Sequence, residues 1–338
     1  MHLLLSFTVQ AWATLSSWWQ CAAAEIFNSS EGQMTIQQFY PIGTPGKPRT
    51  RTEKQIWQQR QTRVRSYKND VLDALQALIK RYDIVQYGEL QYGDDVYSLM
   101  AAKSQDWDQT LPVALITGGV HGFETSGVFG ALEFLSDCQE EYAGKLNLLV
   151  VPCVSPWAYE RVARWNYNAV APDRQFFAQG SAEESTSLMQ LVSGIKGRFL
   201  IHVDLHETTD TDESEFSPAL AARDGQLYEP ESIPDGFYLV SDRQNSRLDF
   251  QRAIIEAVEK VTHIAPADHE GSILGFPVVS PGVIEYDNGA YHLCATITGA
   301  PFTTTTEVSP DSAETSLEEC VRAQVVTIRQ AIDFALSN

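Results

Sequence analysis

Ala114-Leu-Ile-Thr-Gly-Gly-Val-His121-Gly-Phe-Glu124 and Phe199-Leu-Ile-His-Val-Asp204-Leu-His206-Glu-Thr-Thr209 decide how the chain reads. Each stretch is a short apolar run that ends in polar, chemistry-bearing residues. Such runs fit strands buried on both faces. Gly118-Gly119 suits a tight exit from the first strand, and a helix starting near Glu124 puts residues 121 and 124 on one face. In open α/β sheets, ligands gather at the carboxyl ends of strands. His121, Glu124 and His206 then offer two neutral nitrogens and one carboxylate oxygen. That is the donor set of a catalytic zinc site with one position open for water.

The rest of the chain supplies the sheet. Leu146–Val154 is a nearly continuous apolar run, and Leu111–Thr117, Phe199–Leu205, Phe237–Val240, Val278–Tyr286 and Thr303–Val308 read as further strands. Residues 124–137, 183–196, 244–262 and 315–336 carry helical periodicity. A Tyr-Gly-Asp-Asp turn at 92–95 predicts a hairpin within 84–100. Residues 52–81 read as one helix, with Ile56, Val64, Val71, Leu72, Leu75 and Leu78 on its apolar face. Strands alternating with helices predict an α/β sheet with helices on both faces. No linker divides two cores, so a single catalytic domain is expected over 34–338.

Composition sets the boundaries. The chain has 338 residues, 43% of them hydrophobic and 20% charged, which fits a globular protein. A formal net charge of −20 argues against nucleic-acid binding. The local basic run Lys47, Arg49, Arg51, Lys54, Arg60, Arg63, Arg65 and Lys68 reads as a solvated face. Five cysteines, at 21, 138, 153, 294 and 320, show neither zinc-knuckle nor redox spacing. Reduced, buried thiols and a cytoplasmic location are expected. Residues 1–33 read as an N-terminal extension ahead of a start at Met34. Residues 3–24 are apolar and end in Cys21-Ala-Ala-Ala24, but lack the positive start of a signal peptide; export is the alternative. No later stretch is apolar for the roughly 20 residues a membrane span needs.

His202, Asp204 and His206 alternate and so share one face of their strand. His206 stands at the strand end, where a pocket can open, and is the expected ligand. Asp204 could orient it, and His202 reads as a buried core histidine. Neither a Gly-x-Ser-x-Gly elbow nor a Gly-x-x-x-x-Gly-Lys loop occurs, which argues against serine-hydrolase and phosphate-loop chemistry.

Four blocks resemble the zinc carboxypeptidase family in its broad sense, including the aspartoacylase and succinylglutamate desuccinylase branch. They are His121-Gly-Phe-Glu124; Arg164-Trp165 with Pro172-Asp173-Arg174-Gln-Phe176; Asp204-Leu-His206-Glu-Thr-Thr209; and Thr303-Thr-Thr-Thr-Glu307-Val-Ser. The resemblance implies a carboxypeptidase-like fold, α/β, with a mixed, mostly parallel sheet of about eight strands. It implies one Zn2+ ion held by His121, Glu124 and His206, with Glu307 as the general base that takes a proton from metal-bound water. It makes Arg164 the group that stabilises the oxyanion, with Arg161 as its rival. Arg174 would grip a substrate carboxylate, and Tyr286 would match the family's mobile tyrosine, with Tyr291 nearby. The implied reaction is metallocarboxypeptidase cleavage of a C-terminal amide bond in a peptide. Hydrolysis of an N-acyl amino acid is the alternative, and the Asp-Leu-His-x-Thr-Thr block is more like that branch. A non-catalytic binding protein on the same fold would have lost a ligand or the base, and none is missing. Oligomeric state is not specified by these motifs.

The family usually has asparagine before the carboxylate-binding arginine, where this chain has Asp173. A carboxylate there would repel a substrate carboxylate unless paired or protonated. The acidic residues Glu207, Asp210, Asp212, Glu213 and Glu215 read as a solvated loop, the alternative being selection of a cationic side chain.

Overall fold

The computed structural model describes residues 42–44, 46–138, 141–195, 198–210, 217–218, 221, 227–228 and 233–338. The expected extension 1–33, Met34, Cys21, Asp212, Glu213 and Glu215 lie outside them. In chain order come α1 (Arg51–Arg60), a π-helical turn (Lys68–Leu72) running into α2 (Asp73–Ala77), β1 (Tyr82–Tyr92), β2 (Asp95–Ser104) and β3 (Val113–Gly118). They are followed by α3 (Thr125–Asp137), β4 (Asn147–Val151), α4 (Pro156–Arg161), α5 (Glu183–Gly194) and β5 (Phe199–Glu207). Next are β6 (Tyr238–Asp242), α6 (Leu248–Val258), the small β7 (Ser272–Ile273) and β8 (Phe276–Pro277), and β9 (Val283–Tyr286). The chain ends with α7 (Asn288–Tyr291), β10 (Phe302–Val308) and α8 (Leu317–Ser337).

One eight-stranded sheet runs β1-β2-β4-β3-β5-β10-β6-β9. The central strands β4, β3, β5 and β10 are mutually parallel. The β1–β2 hairpin adds antiparallel pairs at one side, and β6 pairs antiparallel with β10. The expected mixed α/β sheet is therefore present. All nine residues of β5 are buried, because helices cover both faces. On one face Ile116, Val203, Leu205 and Leu239 pack with Val128 and Ala131 of α3, Phe250 of α6 and Ile328 and Ile332 of α8. On the other, Val113, Leu115, Leu149 and Val151 pack with Leu188 and Val192 of α5. Each fully buried aliphatic side chain contributes about 1.5–3 kcal/mol.

The single helix expected over 52–81 is instead two pieces. Residues 61–66 are non-helical because their backbone serves α4: the N–H groups of Val64 and Arg65 donate to Glu160 O at 2.7 and 3.1 Å. The Arg63 guanidinium also pairs with the Glu160 carboxylate at 2.6 Å and with Asp95 at 2.9 Å. Tertiary partners thus override helical periodicity, and the apolar face shifts: Val64 is 63% exposed while Trp57 is buried. The strand expected over 278–286 shortens to β9, preceded by Pro281 and Gly282 (φ +66°). Helix α6 likewise begins at Leu248 rather than 244, after a 3-10 turn at Arg243–Asn245. Cys138, Cys153, Cys294 and Cys320 are buried free thiols. Among the described residues, no helix is long and apolar enough to cross a membrane.

Candidate metal centre

Register places the site. Paired residues of neighbouring strands point to one face of a sheet. Thr117 of β3 pairs with Asp204 of β5, and Glu307 of β10 pairs with both His206 of β5 and Tyr238 of β6. Thr117, Asp204, His206, Glu307 and Tyr238 therefore share a face, at the carboxyl ends of the parallel strands. Glu207 points the other way, and its carboxylate accepts a hydrogen bond from Ser126 N–H in the first turn of α3. That pairing ties the end of β5 to the helix that follows Glu124, and suits the positive helix N-terminus.

The turn from β3 to α3 presents His121 and Glu124. Gly119 takes a φ of +60°, which a side chain would disfavour. Gly122 is required for a different reason: a Cβ there would fall inside the backbone of Ala158 and Tyr159 in α4. Ser155 closes the turn from below, its Oγ donating to Val120 O at 2.7 Å.

Three donor atoms converge. His121 Nδ1 lies 2.8 Å from Glu124 Oε1, His206 Nδ1 lies 3.0 Å from the same oxygen, and the two Nδ1 atoms are 3.2 Å apart. All three residues are buried. A tetrahedral ion with ligands at about 2.0–2.1 Å would space its donors about 3.4 Å apart. The triangle is close to that size, and two imidazole nitrogens with one carboxylate oxygen are a zinc-type donor set, so the residues fit the ion. His206 Nε2 faces Asp204 Oδ2 at 2.9 Å, which orients the ring and leaves Nδ1 for the cluster.

The electrostatics of the two histidines differ. Burial, then the cations Arg164, His206 and Arg174, hold the His121 pKa well below its ordinary value. Burial alone would lower His206 too, but the carboxylates of Glu124 and Asp204 on its two nitrogens raise it well above. Burial pushes the Glu124 carboxyl up to about 7, against the pull of His206 and Arg164. The pKa values of His121 and Glu124 both register the charge of Arg164.

Behind the cluster lies a second polar layer. Thr117 Oγ1 donates to Asp204 Oδ1 at 2.6 Å and lies 3.1 Å from His202 Nε2 and 3.7 Å from Cys294 Sγ. Asp204, His202 and Cys294 could themselves bracket an ion, but the threonine hydroxyl already sits among them. Burial lowers His202 to about 4, in keeping with a neutral core histidine. Asp173 also turns inward: its Oδ1 accepts from Cys294 N at 3.3 Å, and its carboxylate lies beside Asp204 and His206. Burial raises its pKa, and nearby Asp204 adds to the rise while His206 and Arg174 oppose it. The residue that departs from the asparagine pattern is thus paired within the protein.

The remaining expected site residues fall into two groups. Arg161 is committed elsewhere, to Asp95 at 2.8 Å, Tyr97 at 3.0 Å and the Trp157 ring. Arg164 lies over Phe123, the residue between the two N-terminal donors, at 5.8 Å from its ring centroid. Arg174, in a 3-10 turn at Pro172–Arg174, carries its guanidinium 5.1 Å over Tyr291. Tyr286 packs edge-on to Tyr291 at 5.9 Å and against Phe276 at 4.4 Å. Glu307, half-buried at the end of β10, accepts from Thr208 Oγ1 at 2.8 Å. Sequence reasoning missed Thr208, Tyr238 and Gln324. Gln324 reaches from α8 to donate to His206 O at 3.0 Å and accepts from Thr306 Oγ1 at 2.7 Å. Its polar place in a mostly apolar helix face was the available signal.

No protein-family model matches the sequence, and no curated protein matches it. Solved structures do. The chain is similar to a candidate metallopeptidase from Shewanella amazonensis SB2B, with a TM-score of 0.60, 19% identity, and coverage of 79% of this chain and 91% of that one. It is similar to a metallo-carboxypeptidase from Burkholderia cenocepacia, with a TM-score of 0.55, 12% identity, and coverage of 80% and 68%. A metallo-carboxypeptidase from Pseudomonas aeruginosa, in complex with (2-guanidinoethylmercapto)succinic acid, gives a TM-score of 0.51 and 14% identity over 78% and 68%. These likenesses, at 12–19% identity, show the fold: the chain has a carboxypeptidase-like α/β fold.

Proposed function

We propose that this protein is a zinc-dependent hydrolase, a metallocarboxypeptidase that cleaves the C-terminal amide bond of a peptide. One observation carries the reading: His121 Nδ1, His206 Nδ1 and Glu124 Oε1 converge within 3.2 Å of one another, one strand away from Glu307. Those three residues would hold one zinc ion. When bound, zinc would polarise a carbonyl and bring the pKa of water near 7.

The chain's own residues do the rest. Glu307 takes the proton from the attacking water and passes it to the leaving amine, work that needs a carboxylate half-open to the site. Arg164 meets the negative charge that develops on the carbonyl oxygen. Arg174 offers a planar fork for the substrate's terminal carboxylate, with the Tyr291 ring beneath it. Tyr286 belongs to the same aromatic wall and closes over the substrate. Asp173 accepts from Cys294 N–H, and the nearby His206 and Arg174 offset the charge of its carboxyl.

The second reading, an N-acyl amino acid deacylase, draws on the Asp204-Leu-His206-Glu-Thr-Thr209 block and uses the same residues on a smaller substrate. Hydrolysis of N-acylated dipeptides compared with N-acetyl and N-succinyl amino acids separates the two. In either case a chelator should abolish activity, and zinc should restore it. Glu307→Gln should keep the ion and lose about 10²–10⁴-fold in kcat. Full activity of Glu307→Gln on the substrate that wild type cleaves best would contradict the assignment of the base.

A further inference from the structure

Glu307 is flanked on both sides by hydroxyl-bearing residues that the reaction scheme above does not use. Its strand lies between β5 and β6, and its register partners are His206 and Tyr238. Thr208 stands two residues beyond His206 and so returns to the same face. Its N–H extends the ladder to Val308 O at 2.9 Å. Thr208 Oγ1 lies 2.8 Å from Glu307 Oε2 and 2.8 Å from Tyr238 Oη. Thr208 is 5% exposed and Tyr238 1%.

Counting protons fixes the direction of this chain. A threonine hydroxyl has one hydrogen to donate, and an ionised carboxylate can only accept. The Thr208 hydrogen therefore goes to Glu307. The Tyr238 contact must run the other way, with Tyr238 O–H donating to Thr208 Oγ1. Donation by tyrosine polarises the threonine hydroxyl and strengthens its bond to the carboxylate. A hydrogen bond to a charged acceptor is also stronger than one between neutral groups.

We propose that Thr208 and Tyr238 are positioning residues for Glu307: the Tyr238→Thr208→Glu307 chain fixes the plane of the carboxylate as it faces the attacking water. This rests on reading Glu307 as the base. The chain draws on the loop just after a metal donor, on β6 and on β10. It therefore links the metal-bearing strand to the base through side chains as well as through the backbone ladder.

The test uses zinc-loaded, full-length protein and the N-acylated dipeptide that wild type hydrolyses best, or the best N-acyl amino acid if dipeptides fail. Thr208→Val should lower kcat roughly tenfold with KM within about twofold. Thr208→Ser, which keeps the hydroxyl, should restore most of the rate. Tyr238→Phe should cost about threefold, and the Tyr238→Phe/Thr208→Val double variant should be no slower than Thr208→Val alone, because tyrosine acts through threonine. In a Glu307→Gln background, Thr208→Val should leave kcat unchanged. Zinc content and Tm identify variants that fail to fold. A crystal structure of Thr208→Val gives a reading independent of turnover: the Glu307 side chain should leave its wild-type rotamer. Wild-type kcat in Thr208→Val, an unchanged Glu307 rotamer, or an undiminished Thr208→Val effect in the Glu307→Gln background would each overturn the proposal. If instead Glu307→Gln is fully active, the base reading itself fails.

Discussion

His121, Glu124 and His206 sit where a strand ends or a helix begins, all buried, with ring and carboxylate held by Asp204, Gly122 packing and the Glu207–Ser126 tie. Arg164, Arg174 and Tyr286 sit on turns or at a strand's last residue, and each is partly exposed. Rings line this side: Arg164 lies over Phe123 and Arg174 over Tyr291. The histidine–glutamate side is thus buried and prepaired, whereas the guanidinium side is partly exposed and lies against aromatic rings. A metal site gains from fixed geometry, whereas a substrate grip must admit and release its ligand.

The sharpest way to break this contrast is Arg174→Ala. It should raise KM and lower kcat/KM about 100-fold, since a charge-assisted bidentate contact would go, while zinc stoichiometry stays at wild type. Lost zinc in that variant would mean the two sides are not separable. A smaller effect sharpens the donor side. In the metal-free protein Glu124 titrates near 7, and His206 holds its proton well above its ordinary range. Zinc needs both deprotonated, so binding releases protons and affinity rises with pH. Titration with zinc should show affinity falling about tenfold per pH unit for each proton released, with both protons counting below about pH 7. Affinity independent of pH from about 5.5 to 8 would mean that the donors are not these residues.

The donor side was legible in the sequence and the substrate side much less so, for a physical reason. β3 and β5 are buried on both faces, so they read as apolar runs, and a histidine or glutamate at the end of such a run stands out. Its place at the strand end singled out His206 over His202, and the structure sets Asp204 against His206 Nε2. The choice between Arg161 and Arg164 depended on Asp95 and Tyr97, more than sixty positions away. Asp173 looked like an obstacle to carboxylate binding because its partner, the Cys294 N–H, is 121 residues distant. The break at 61–66 depends in the same way on Glu160. Periodicity reports one element's own faces; it is silent on which distant backbone group an element will serve.

The central claim is that His121, Glu124 and His206 hold one ion together. Zinc stoichiometry and affinity, measured on wild type and on His121→Ala, Glu124→Ala and His206→Ala after exhaustive chelation, test it most directly. One ion per chain in wild type, weakened at least about 100-fold in every variant with Tm of the metal-free forms little changed, is the predicted result. Wild-type zinc affinity in all three variants, or no zinc bound by wild type at all, would contradict it.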